Sequence, residues 1–367
     1  MRRIGGEGQP LPVAVIGTGS AGGYILNGLE KMGATRVVGY ETEPQQIARA
    51  RQKHSGLIEA TDMQDALRKA RGGIVYFTTP DHVRGEIIDQ AYNDPTIAGV
   101  VIAKPLANNL ARAEEIATLA RETGKPTIIA TDYRATPQFA AIKEGFDRGE
   151  IGDFVGGHVT YDHDLREHQD PWRKKGEGQN FYYGALAHGA DTLINIAGDK
   201  VTAVTTKESR LGLLEGEDGF NRPERITTIF EFDNGALATA SVNLVTPLPQ
   251  GEHGTMLIVE GTEGKYMANN KVLPGRGIIP ESEGSGNKMV EYLITQGGDG
   301  WTHRRVKQAF TSDLLVVAAD NWVKGESDNP YPFATIEDGM RTMYVLDAAE
   351  RSAKSNRTEI VVYQLAA

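Results

Sequence analysis

Val13-Ala14-Val15-Ile16-Gly17-Thr18-Gly19-Ser20-Ala21-Gly22 decides the fold of this 367-residue chain. Four apolar residues without polar alternation read as a strand buried on both faces. The glycines follow at once. Gly17 permits a tight turn, Gly19 lets a pyrophosphate approach the backbone, and Gly22 lets the following helix pack closely. With Thr18, Ser20 and Ala21 they form a loop whose helix end offers free N–H groups and a partial positive charge to phosphates. Position carries the reading more than the motif, because a chain with 43 glycines matches so short a pattern by chance. Glu41 closes the next apolar run. A carboxylate there accepts hydrogen bonds from an adenosine ribose and repels a 2′-phosphate, by roughly 3 kcal/mol per unit charge at ~5 Å and an effective dielectric of ~20. No arginine in Thr42-Glu43-Pro44 offsets that repulsion. NAD is expected in preference to NADP.

Working outward, the first third alternates strand and helix. Arg36 to Tyr40, Ile74 to Thr78, Gly99 to Ala103 and Thr127 to Ala130 repeat the buried-strand pattern. Glu43 to His54 and Arg112 to Thr123, the latter stopped by Gly124, read as helices between them. Residues 11–131 are therefore expected to form a doubly wound Rossmann domain, with 1–10 as a tail. After Asp132 the pattern changes. Helices are expected from Pro137 to Arg148, from His188 to Ala197 and, at the end, from Thr335 to Lys354. Arg225 to Phe232, the Asp233-Asn234-Gly235 turn and Ala236 to Val245 read as a hairpin. Met256 to Glu260 and Gly264 to Ala268 read as another, and Pro274 to Asn287 as a loop. Residues 132–367 are thus expected to form an α+β domain with an open-faced, mainly antiparallel sheet. The crevice between two domains is the default site.

Composition narrows the chemistry. With 24% charged and 40% hydrophobic residues the chain reads as globular, and with no cysteine it has no thiolate metal site, cysteine nucleophile or disulfide. Forty-nine acidic against 39 basic residues, a formal charge of −10, argue against a nucleic-acid binder. No apolar run approaches the ~18–20 residues of a bilayer span, and no apolar segment follows Arg2-Arg3. The expectation is a cytoplasmic protein with no membrane and no nucleic-acid partner.

Together these segments resemble the Gfo/Idh/MocA oxidoreductase family, which includes glucose–fructose oxidoreductase and inositol dehydrogenase. The resemblance runs in register along nearly the whole chain. It comprises the glycine loop, Thr78-Thr79-Pro80-Asp81-His82, Ala103-Lys104-Pro105-Leu106-Ala107, Gly149-Glu150-Ile151-Gly152, Trp172-Arg173, His188-Gly189-Ala190-Asp191 and the closing segment Ala334 to Lys354. It implies a Rossmann domain joined to an open-faced α/β domain, NAD as cofactor, and hydride transfer to or from a secondary alcohol of a sugar, glycoside or cyclitol. It also implies association as a homodimer or homotetramer.

Lys104-Pro105 corresponds to the family's EKP motif, whose lysine is catalytic. A strand-end lysine away from water, beside a positive nicotinamide, should have a lowered pKa and could share a hydroxyl proton. Ala103 stands where the family has its glutamate, so the orienting help of that acid is missing. His188 with Asp191 matches the family's HxxD, and imidazole suits acid–base work near neutrality. Gly184 replaces an aspartate of inositol-dehydrogenase-like members; either Lys104 and His188 suffice, or Tyr183 or another nearby group fills that gap. The resemblance places Thr79, Pro80 and His82 on the cofactor side and Trp172-Arg173 at the nicotinamide end, although that last pair is equally readable as an amphipathic surface pair. The strand Gly157 to Asp164 brings Tyr161, Asp162, His163 and Asp164 together, with Arg166 and His168 beyond. Tyr161 and His163 are expected to contact sugar hydroxyls with Tyr183, His188, Asp191 and Lys104. Their spacing matches no metal signature, so no metal is expected. Two rivals stand beside this reading: a redox glycosidase that retains NAD, and a non-enzymatic dinucleotide-sensing regulator.

Overall fold

The computed structural model describes residues 10–166, 182–198, 200–214, 223–246, 253–269, 291–297, 300–306 and 311–363. Trp172, Arg173, His168, most of the expected tail and the expected loop Pro274 to Asn287 lie outside them. Packing divides the chain into two compact units, Met1–Ala135 with Ala309–Met343, and Thr136–Gln308 with Tyr344–Ala367.

The first unit is built on strands β1 (Val13–Ile16), β2 (Val37–Tyr40), β3 (Ile58–Glu59), β4 (Ile74–Phe77), β5 (Gly99–Ala103) and β6 (Thr127–Ala130). A short β15 (Ala334–Thr335) completes the order β15-β6-β5-β4-β1-β2-β3, parallel except at β15. Chain order reverses at β1, which pairs with β2 on one side and β4 on the other. That reversal is where an open α/β sheet leaves a crevice at its carboxyl edge. The helices are α1 (Ser20–Met32), α2 (Pro44–Lys53), α3 (Met63–Lys69), α4 (Gly85–Asn93) and α5 (Leu110–Thr123). Gly33 and Gly124 end α1 and α5 in the left-handed region, at φ 75° and 62°, the conformation glycine adopts at least cost.

Two later segments return to this sheet, contrary to the expectation that everything past residue 132 belongs to the second domain. These are β15 and helix α8 (Thr311–Val323). Leu315, Val316 and Ala319 of α8 share one core with Val15, Ile25, Leu29 and Tyr76. Each large side chain so buried is worth about 1.5–3 kcal/mol. Asp320, also buried, accepts the Leu11 N–H at 2.9 Å and the Lys324 ammonium at 2.6 Å. The reason for the return is physical: a parallel sheet must be covered on both faces.

The second unit holds a mixed sheet. Its strands are β7 (Phe154–His163), β8 (Val201–Ser209), β9 (Arg225–Phe232), β10 (Leu237–Asn243), β11 (His253–Gly261), β12 (Lys265–Asn269), β13 (Glu291–Gly297), β14 (Gly300–Val306) and β16 (Glu359–Ile360). Their order is β14-β13-β12-β11-β7-β10-β9-β8-β16. All pairs are antiparallel except β7 with β10, so the mainly antiparallel expectation stands with one parallel join. Both expected hairpins form, pairing Glu231 with Leu237 and Glu260 with Lys265. Burial alternates along β9, as a sheet covered on one face requires. Helices α6 (Pro137–Asp147) and α7 (Ala187–Ala197) belong to this unit. Helix α9 (Ile336–Ser355) begins in the first unit and ends in the second.

Candidate active site

The glycine loop of the first unit is clamped from both neighbouring strands. From β2, Glu41 accepts the Thr18 N–H at 2.8 Å, and its other oxygen accepts the Thr42 and Glu43 N–H groups at 2.9 and 3.2 Å. From the end of β4, the Thr78 hydroxyl donates to the Gly17 carbonyl at 2.6 Å. Gly17 adopts φ 90°, and a Cβ there would sit 2.8 Å from the Thr79 methyl. A Cβ on Gly22 would lie 2.0 Å from the Gly17 carbonyl oxygen, whereas one on Gly19 would meet nothing within 4 Å. Gly17 thus makes the tight turn and Gly22 the close helix packing, while the space around Gly19 is open.

These residues fit a dinucleotide. Gly19 caps α1 with no side-chain bond, and no acidic residue occupies the first turn, so the helix end keeps its N–H groups and positive potential for an anion. Ser20 and Ala21 are exposed beside it. After β4, the Thr79 hydroxyl and the His82 Nδ1 are buried and have no hydrogen-bond partner among the described residues. Buried polar atoms are rarely left so, and these two border the same carboxyl edge. Pro80 starts the short 3-10 turn that carries His82, whose N–H bonds the Asp81 carboxylate at 3.0 Å.

Lys104 is the first residue past β5 and half-buried. Two neighbours of this strand end were not legible from the sequence. Arg84, itself buried, donates from Nη1 to the Ala103 carbonyl, fixing the residue before the lysine. Burial draws the Arg84 guanidinium down to about 10, with Asp81 opposing. Asp132 follows β6, whose Ala130 pairs with Ala103. Its surface reaches solvent, yet the protein packed around it lifts its carboxyl above the usual range, while the Lys104 charge and its own backbone N–H pull it back.

In the second unit a π-turn, Tyr182–Leu186, runs straight into α7. Such widened turns recur at functional sites. A Cβ on Gly189 would lie 2.9 Å from the Ala240 Cβ and 3.0 Å from Val159, so α7 lies close upon β7 and β10. Side chains alternate along a strand, and Val159, Tyr161 and His163 share the face toward α7. The Tyr161 and His188 rings stack with centroids 5.0 Å apart and planes 17° from parallel. His163 lies 6.2 Å from Tyr161, ring to ring. Asp191, one turn beyond His188, is buried on the same helix. Tyr161, His163 and His188 thus stand together, with Asp191 one turn further along the helix.

The rest of that strand faces elsewhere. His158 bonds Thr239 at 2.5 Å and Asp162 accepts from Thr246 at 3.3 Å on the opposite face. Burial lowers the His158 imidazole and raises the Asp162 carboxyl. Asp164 is held below the usual carboxylate range chiefly by Arg166, at 2.7 Å. Tyr183 needs a correction. Its hydroxyl is buried against Asp347 of α9, and burial together with that carboxylate raises it strongly. The phenol is committed to a structural bond rather than to a ligand. At Gly184 a Cβ would meet nothing within 4 Å, so packing does not forbid a side chain there.

Residues 11–131 match the oxidoreductase family, NAD-binding Rossmann fold, and residues 139–267 match the GFO/IDH/MocA C-terminal domain. The chain belongs to the Gfo/Idh/MocA family: it is an oxidoreductase whose first unit is an NAD-binding Rossmann domain. It is 23% identical over 290 residues to the uncharacterized oxidoreductase YdgJ of Escherichia coli strain K12, covering 71% of this chain and 73% of that protein. It is likewise 23% identical over 245 residues to 1,5-anhydro-D-fructose reductase of Ensifer adhaerens, covering 66% of each. The fold matches levoglucosan dehydrogenase in complex with NADH and L-sorbose, with TM-score 0.78, 20% identity and coverage of 97% and 100% of the two chains. Among the described residues no helix is long and apolar enough to cross a membrane.

Proposed function

We propose that the protein is an NAD-dependent dehydrogenase or reductase acting on a secondary alcohol of a sugar, glycoside or cyclitol. The observation that carries the reading is the half-buried Tyr161–His188 stack, with His163 on the same strand face and Asp191 one helical turn away. A saturated ring with many hydroxyls suits such a surface, offering C–H edges to an aromatic face and O–H groups to imidazole and carboxylate. Two similar proteins, a 1,5-anhydro-D-fructose reductase and a levoglucosan dehydrogenase, support the same substrate class.

The glycine loop, Glu41, Thr79 and His82 would hold the dinucleotide, which when bound supplies the two-electron acceptor or donor. Lys104 and His188 are the proposed proton-handling groups. In oxidation one of them takes the hydroxyl proton as the carbon–oxygen bond gains double-bond character, and in reduction it returns that proton. Tyr161, by stacking, fixes the plane of the His188 ring and so the direction in which its nitrogens point. The reading includes a cytoplasmic setting and association as a homodimer or homotetramer, which light scattering of the purified protein checks.

The test is a panel of cyclitols, aldoses and glucosides incubated with NAD, with NADP in parallel, while NADH absorbance is followed. Accumulating NADH with at least one polyol, lost in both Lys104→Ala and His188→Ala, supports the proposal. Aglycone release without net NADH would replace it with a redox glycosidase. Full turnover by Lys104→Ala would remove the lysine from the mechanism.

A further inference from the structure

Lys104 lacks the acidic neighbour that the EKP motif supplies from the preceding position, because residue 103 is alanine. We infer that Asp132 replaces that acid from the neighbouring strand and acts as the positioning residue of Lys104. The inference rests on the functional reading above only in taking Lys104 as the proton-handling group.

The argument begins with register. β5 and β6 are adjacent and parallel, and Ala103 pairs with Ala130. Lys104 leaves β5 one residue past that pair, and Asp132 leaves β6 two residues past it. Both therefore project from the same carboxyl edge of the sheet, on neighbouring strands about 4.8 Å apart. A tight backbone turn fixes the start of the second segment, with the Thr131 N–H on the Ile129 carbonyl at 2.9 Å and the Arg134 N–H on the Thr131 carbonyl at 3.2 Å. The first segment is fixed by Arg84 on the Ala103 carbonyl. The two side chains thus stand on backbones that are each held independently.

Charge gives the second line. Lys104 and Asp132 interact electrostatically, and the lysine charge counters the desolvation of the carboxyl. Other ionisable groups near this edge have partners of their own. Arg84 is engaged by the Ala103 carbonyl and Asp81, His82 lies 3.8 Å from Asp81, and Arg134 pairs with Asp338 at 3.4 Å. Loss of the Asp132 carboxylate would therefore change the field at Lys104. Acting through it, the lysine keeps its ammonium form over a wider range and holds one direction. Its proton would then be ready for the carbonyl oxygen in reduction, and in oxidation the lysine, as free amine, would take the hydroxyl proton back as hydride leaves the carbon.

Competitive labelling with acetic anhydride across pH, read at the Lys104 peptide by mass spectrometry, measures the lysine ionisation without dinucleotide or substrate. In Asp132→Asn the Lys104 midpoint should fall by about 1–3 units, as expected for loss of an opposite charge within ~4–6 Å. Asp132→Glu should restore it. Asp132→Ser provides a second charge-free variant should the amide fold poorly. Identical midpoints in wild type and either charge-free variant overturn the inference, as does a midpoint that Asp132→Glu leaves as low as Asp132→Asn. Because no redox turnover enters the measurement, its failure is separate from a failure of the substrate panel.

Discussion

Gly19 and Gly22 belong to one motif, yet alanine at each should fail differently. At Gly22 the new Cβ would lie 2.0 Å from the Gly17 carbonyl oxygen and 3.0 Å from its carbon. That carbonyl cannot turn aside freely, because the Thr78 hydroxyl bonds it at 2.6 Å. Opening such a contact costs up to about 3 kcal/mol, offset by about 1 kcal/mol of helix propensity, leaving a net loss of about 2 kcal/mol. In a unit of this size that lowers Tm by about 4–8 °C. At Gly19 the Cβ meets nothing within 4 Å, and φ is an ordinary −63°. The cost there is only the poorer capping of alanine, about 0.5–1 kcal/mol. The same methyl, however, stands where phosphate must approach the helix end, so NAD affinity should fall at least tenfold, about 1.4 kcal/mol. Thermal unfolding without dinucleotide and calorimetric titration with NAD separate the two. Wild-type NAD affinity in Gly19→Ala, or wild-type melting in Gly22→Ala, refutes the division of labour.

Three further expectations follow from the same geometry. Glu41→Gln removes a charge while keeping one acceptor for the loop; solvent screening reduces the bare repulsion to about 1 kcal/mol, so the NAD-over-NADP affinity ratio should fall roughly five- to tenfold. Competitive dinucleotide titrations read that ratio, and an unchanged value removes Glu41 from cofactor choice. Tyr183→Phe removes one donor to Asp347, which keeps Arg351 at 3.0 Å, and should destabilise by about 0.5–1.5 kcal/mol, while the pH profile of turnover stays in place; a shifted profile would return Tyr183 to the chemistry. Asp65 is held down to about 2, chiefly by its bond to Lys69. Its folded value lies below its unfolded one, so its contribution is complete above about pH 4 and disappears as pH falls toward 2. In Asp65→Asn the acid side of the Tm–pH curve should be flatter than in wild type.

The first sheet was readable because a buried parallel strand is a continuous apolar run, and β1, β5 and β6 begin and end where the sequence places them. Helix α8 was not, since Leu314-Leu315-Val316-Val317 lies far from the sheet in sequence and nothing local says which sheet it covers. Of the candidate site, Lys104, His188, Asp191 and the glycines were legible from motifs, and Tyr161 with His163 from the run of polar side chains on one strand; which of that run share a face shows only in the structure. Asp132 and Arg84 escaped because their placement beside Lys104 depends on register across strands, and no spacing along the chain encodes that. Tyr183 was misassigned for the complementary reason. Its neighbours in sequence border the cluster, but the π-turn points its hydroxyl at Asp347 on a helix more than a hundred and fifty residues later.

The first unit is stitched from two stretches separated by the whole of Thr136–Gln308. On a ribosome adding about 5–20 residues per second, the nascent nucleotide-binding half would therefore wait roughly 10–35 s for the helix that shields one side of its sheet. During that interval Val15, Ile25, Leu29 and Tyr76 would lack the cover of Leu315, Val316 and Ala319. Biogenesis of this enzyme is thus exposed to chaperone capture in midsynthesis, and an excised 11–131 fragment should emerge sticky where the intact chain does not.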